Sequence, residues 1–175
     1  MINKNYLNNL EKLKEHFLKN KSLILYEFFN DYETIKNKIL NLKYSREYDP
    51  IKFSYSKSEF KINYEILEFL DKLLDVKIND NFEAYCFNWK DYTILCDKIK
   101  HEKGINVIID FTDDWDFNYG GSIVYTDGSG NYTKIEPSGN TLIIFDIDNN
   151  KRFVQYINNL AKSKSRYFIL GSFKY

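Results

Sequence analysis

The residue that most constrains this chain is Arg166, because it interrupts a strand-like run, Ser165 to Phe173, that is apolar on both faces. At strand period Phe168 and Leu170 share the side of Arg166, and Tyr167 and Ile169 point the other way. A guanidinium held among such neighbours needs an anion, since an unpaired charge inside a β-sandwich costs several kcal/mol. That anion is either a carboxylate of the protein, with Asp97, Asp110 and Asp146 as candidates, or the carboxylate of a ligand.

The pattern upstream predicts the layers around this strand. Leu10, Leu13, Phe17 and Leu18 recur at helical spacing, with Glu11, Lys12, Lys14 and Glu15 opposite, which predicts one amphipathic helix in the first twenty residues. Residues 22–29 read as a buried strand, and Asn30 or Asp31 caps a helix running to about Leu42. A polar loop around Pro50 is expected between Lys43 and Ser58. Ile62, Ile66, Leu67, Phe69, Leu70, Leu73 and Leu74 predict a further helix.

From Phe82 onward the period changes to two. Eight short strands are predicted: 82–87, 92–99, 105–111, 122–126, 132–135, 141–146, 153–157 and 167–173. Turn residues separate them, notably Asp127-Gly-Ser-Gly-Asn131 and Pro137-Ser-Gly-Asn140. Strands preceded by helices imply an α+β fold, a jelly roll or barrel of about eight strands with an N-terminal helical buttress. A length of 175 residues with 43% hydrophobic content suits one domain: residues 1–80 mostly helical with one early strand, 81–175 the β core.

Charge excludes some partners. Twenty-five Lys and Arg balance 25 Asp and Glu, so the chain lacks the net positive field of a nucleic-acid binder. No apolar run has bilayer-spanning length and Met1 to Asn20 lacks an apolar signal core, so a cytoplasmic location is expected. Cys86 and Cys96 are too few for a disulfide framework.

Several of these segments together resemble a known family. The strand, Phe28-Phe-Asn-Asp31 and helix at 22–42, the segment Ala84 to Lys98, the strand Ile105 to Phe111 with Trp115 and Gly120-Gly121 behind it, Pro137 to Phe145, and the closing Arg166 strand resemble the prolyl-hydroxylase-like 2-oxoglutarate/Fe(II) dioxygenases. The resemblance implies a double-stranded β-helix (cupin-like) in which an Arg on a late strand grips 2-oxoglutarate. Arg166 matches that Arg and Gly120-Gly121 matches the family's double glycine, and Lys98, which shares a strand face with Cys96, and Tyr85 are further candidates beside Arg166 for holding the cosubstrate. The same resemblance implies Fe(II) held by His-x-Asp and a distal His, and here the chain departs. Cys96 and Lys98 fall on the first motif, or Leu95 and Asp97 in the register one residue away, and Val154 falls at the distal position.

Three functions follow from this pattern. The first is a divergent dioxygenase-like protein whose metal site is lost or rebuilt and which keeps a carboxylate pocket at Arg166. Lys98 either contributes to that pocket as a replacement cation or points to solvent at a strand end. The second is an active oxygenase of unusual ligation that hydroxylates an amino-acid side chain or small metabolite, with Asp97, His101 and Cys96 as an improvised metal set. The third is a non-catalytic interaction module, which predicts a packed interior beside Arg166 where the other two predict a pocket. The partners expected are a small carboxylate or a peptide, and neither nucleic acid nor membrane. Asp113-Asp114-Trp115-Asp116 offers carboxylates to a hard cation but lacks the alternation of a calcium loop, and reads as a solvated turn.

Overall fold

The computed structural model describes residues 1–94, 104–127, 129–147 and 150–174. Two short helices open the chain, α1 (Lys4–Asn8) and α2 (Leu10–Asn20), where the pattern predicts one. Asn9 separates them, and α2 ends where Lys21 turns left-handed at φ 59°. There follow β1 (Ser22–Leu25), α3 (Tyr32–Leu40), β2 (Ser45–Asp49), β3 (Phe53–Lys61) and α4 (Tyr64–Leu74). The second half supplies β4 (Asn81–Phe87), β5 (Tyr92–Thr93), β6 (Ile105–Asp110), β7 (Ile123–Thr126), β8 (Tyr132–Ile135), β9 (Thr141–Asp146), β10 (Lys151–Val154) and β11 (Arg166–Phe173).

All strand pairings are antiparallel. The strands form an eight-stranded sheet in the order β1-β9-β6-β11-β4-β3-β2, with β5 added beside β3, and a three-stranded sheet β10-β7-β8. The protein is thus α+β, a jelly roll of two curled antiparallel sheets with helices against one face. Among the described residues, no helix is long and apolar enough to cross a membrane.

Period-two alternation in the large sheet builds two cores at once. Val107, Ile109, Leu142, Ile144 and Ile169 face the helices and pack with Phe17, Ile39, Phe69, Leu70 and Leu73. Their neighbours Ile108, Ile143, Phe168 and Leu170 face the small sheet, where they meet Ile123, Tyr125, Ile135 and Val154. Because both faces of β6, β9 and β11 are buried, these strands read as continuous apolar runs.

The region between Lys43 and Ser58 corrects one expectation. In place of a loop, β2 and β3 form a hairpin that continues the large sheet beyond β4. Its side chains are largely half-exposed and polar, because an outer strand with wet faces carries no hydrophobic alternation. The early strand is also shorter than expected, ending at Leu25, and β10 begins at Lys151, two residues before the predicted start. The predicted strand 92–99 is described only as Tyr92–Thr93, and its remainder from residue 95 lies outside the described residues.

One buried carboxylate ties the hairpin to the roll. Asp91, at 0% exposure, accepts from both terminal nitrogens of Arg46 (2.8 and 2.5 Å), from Ser54 Oγ (2.8 Å) and from the Asn88 backbone N–H (2.8 Å). Replacing Asp91 by Asn removes the charge and leaves one donor facing other donors. The expected loss is about 1–3 kcal/mol of unfolding free energy, checked by urea denaturation, with the m-value unchanged if the sheet itself persists.

Candidate functional site

The space between the two sheets holds a cavity of about 510 Å³. Its walls come from the inward faces of β3 (Phe53, Tyr55), β4 (Tyr85, Phe87) and β11 (Phe168, Leu170), and from Ile123 on β7 and Arg152 and Val154 on β10. Thr93 and Ile94 border it at the end of β5, and Asp49 and Lys52 sit at the hairpin rim. The rings are mutually packed: Tyr85 on Phe168 at 5.2 Å, Tyr55 on Phe87 at 5.4 Å and Phe87 on Phe168 at 5.7 Å. One wall is therefore a continuous aromatic sheet surface, and the opposite wall carries a cation.

That cation is Arg152. Strand alternation places Arg152 and Val154 on the inward side of β10, in register with Tyr125 and Ile123 of β7. Its charge acts on Tyr125, Tyr85 and Glu83. Its Nη1 is buried and has no hydrogen-bond partner among the described residues. A buried guanidinium N–H of this kind keeps the full desolvation cost of an unmade bond until an acceptor arrives.

Glu83 lies close by but is already engaged. It accepts from the Tyr85 hydroxyl at 2.5 Å and from Lys57 Nζ at 3.0 Å. Burial alone would raise its carboxyl, but those two hydrogen bonds, with the charges of Lys57 and Arg152, hold it below its usual value. The Tyr85 phenol is pushed up, first by burial and further by Glu83, so it stays a hydrogen-bond donor. At Tyr125, burial raises the phenol while Arg152 and Asn106 oppose that rise.

Arg166 is fully buried, and its anion is internal. Its Nη2 donates to Asp110 Oδ2 at 2.9 Å, with both side chains at 0% exposure. Register explains the pair: Asp110 on β6 stands opposite Phe168 on β11, which makes Arg166 its diagonal neighbour on the inward face. Thr112 donates its backbone N–H to the other oxygen of Asp110 at 2.9 Å. Burial pushes the Asp110 carboxyl up, against the pull of Arg166 and Thr112. The guanidinium lies over the Phe168 ring at 4.9 Å, and its Nε and Nη1 have no partner among the described residues.

The other residues singled out in the sequence are distributed as follows. Tyr85 lines the cavity. Leu95, Cys96, Asp97, Lys98 and His101 lie outside the described residues. Val154 is buried on the cavity wall and offers no donor atom. His16 is exposed on α2. Of the acids at 113–116, Asp113 accepts from the Tyr32 hydroxyl and Lys36, and Asp116 caps the short 3₁₀ turn Phe117–Tyr119. Among the described residues, no group of three or more His, Cys, Asp or Glu could hold a metal ion.

Sequence reasoning passed over Arg152. It stands inside the segment where the resemblance places a distal histidine, and the predicted strand, 153–157, begins after it. The available signal was its spacing: Arg152 is two residues from Val154 and so shares its face.

No protein-family model matches the chain, and no curated protein matches it by sequence. Solved structures do match. A prolyl-4-hydroxylase from Pseudomonas putida is similar with a TM-score of 0.73 at 10% identity, over 95% of this chain and 98% of that one. A prolyl hydroxylase from Trichoplax adhaerens, solved with a hypoxia inducible factor oxygen degradation domain peptide, gives 0.71 at 14% identity over 96% and 92%. An oxidoreductase of the 2OG-Fe(II) oxygenase family from Burkholderia pseudomallei gives 0.69 at 9% identity over 94% and 89%. With its two curled sheets, its helical layer and a cavity between the sheets, this chain has the fold of the prolyl-4-hydroxylase-like 2-oxoglutarate/Fe(II) oxygenases.

Proposed function

We propose that the protein is a divergent relative of these oxygenases that binds a small carboxylate between its two sheets, with Arg152 receiving the anion and Tyr85 flanking it. The observation that carries this reading is a 510 Å³ cavity whose wall includes a guanidinium with a buried, unpartnered N–H among the described residues. An interaction module with a packed interior has no use for such a space. Arg166, the residue that the family resemblance assigns to this task, has Asp110 as its counter-ion. The cation lining the cavity belongs to β10 instead.

2-Oxoglutarate is the first carboxylate to try, because the structural neighbours include 2OG-Fe(II) oxygenases. Fe(II) would supply oxygen activation in such a site. Val154 has no donor for it, and positions 95–98 lie outside the described residues, so no step is assigned to a metal. A peptide carrying a carboxylate side chain is the second reading. An open groove lined by Tyr92, Phe117, Tyr156 and Gln155 adjoins the cavity and shares Thr93, Ile94 and Val154 with it.

Calorimetric titration tests the proposal. A panel of small carboxylates, 2-oxoglutarate included, run with and without Fe(II), is expected to give saturable binding to the wild type. Arg152→Met is expected to weaken it at least about tenfold, equivalent to about 1.4 kcal/mol. Binding that ignores Arg152→Met, or silence from every carboxylate, refutes the reading.

A further inference from the structure

We propose that the ligand of this cavity is a monocarboxylate with a flat apolar or aromatic body, not a dicarboxylate. The inference rests on the carboxylate-binding reading above and sharpens it through two observations, the charge available and the shape of the wall.

Charge first. Among the described residues around the inner end of the cavity, Lys57 is engaged by Glu83 and also by the charge of Glu47, so the cation left to meet an anion is Arg152 with its buried, unpartnered Nη1. Arg166 adds none, since Asp110 neutralises it within the fold. One inward carboxylate is therefore matched. A second carboxylate on the same ligand would lie either against rings, where an unpaired anion is strongly disfavoured, or at the rim. There Lys52 is exposed to water and stands beside Asp49, so it adds little affinity for an anion.

The wall opposite Arg152 then selects the rest of the molecule. Tyr55, Tyr85, Phe87 and Phe168 all come from the large sheet and pack ring to ring. A planar apolar body can lie against this surface in stacked or edge contacts that add to simple burial. A chain such as that of 2-oxoglutarate has no face to offer, and its second charge loses hydration without finding a counter-ion among the described residues.

The test is a matched series titrated into the wild-type chain: 3-phenylpropionate, its uncharged amide, and 2-oxoglutarate. The expected order places phenylpropionate at least about tenfold tighter than both others. In Arg152→Met the acid and the amide should converge, and a melting curve run alongside separates loss of binding from loss of fold. If 2-oxoglutarate binds as tightly as the aryl acid or tighter, and does so through Arg152, the ligand class proposed here is wrong while the carboxylate site stands. Should the amide match the acid in the wild type, or no member of the series bind, the carboxylate site itself falls and this inference with it.

Discussion

Asp110→Ala is expected to destabilise the protein by about 3–5 kcal/mol, because it leaves a guanidinium without its counter-ion in a dry interior. Arg166 and Asp110 are each at 0% exposure, and only one N–H of Arg166 has a partner in the described structure, which is Asp110 itself. The paired substitution Arg166→Met with Asp110→Leu is expected to recover most of the loss, since replacing a buried ion pair by apolar side chains of similar volume is often neutral or stabilising. Chemical denaturation of the two singles and the double closes a thermodynamic cycle. A double variant as unstable as the sum of the singles would show that the pair supports something besides its own charge balance.

Gly120→Ala is the second large effect, expected at about 3 kcal/mol or more. Gly120 sits at φ 77° and ψ −149°, a region essentially restricted to glycine. A Cβ there would meet the Tyr156 carbonyl oxygen at 2.1 Å, and that oxygen belongs to backbone that cannot swing aside as a side chain would. The same turn is fastened on both sides, by Trp115 Nε1 donating to the Gly120 carbonyl at 2.9 Å and by the Asn158 N–H donating to the Tyr119 carbonyl at 3.0 Å. Gly130→Ala is the control: φ is positive there too, but nothing lies within 4 Å of the added carbon, so a smaller loss is expected in the same thermal melts. Equal losses at the two glycines would show that conformation alone, without the clash, sets the cost.

The parts of the fold that were legible are those where burial writes a period into the chain. Seven of the eight strands expected after Phe82 occur, with ends displaced by residues whose role depends on partners, as at β10, and of the eighth only Tyr92–Thr93 is described. The β2–β3 hairpin was not legible, since only Ser54 of its residues is buried and the binding of Asp91 to Arg46 and Ser54 is visible only in three dimensions. The site divides in the same way. A charge at position 166 between Tyr167, Phe168 and Leu170 announces burial by composition alone. Which of three carboxylates answers it depends on the β6–β11 register, and the register selects Asp110. Arg152 was hidden for a different reason, because its neighbours Lys151 and Asn150 give the segment the look of a wet turn, and the cavity that gives it meaning is assembled from five strands distant in sequence.

The cavity draws its cation from the three-stranded sheet and its rings from the eight-stranded one. A guest held by both would act as a rivet between the helix-backed sheet and the three-stranded outer one. Its affinity and the cohesion of the two sheets would then be linked: a ligand that binds only the closed roll would stabilise the pairing of the sheets by as much as it binds.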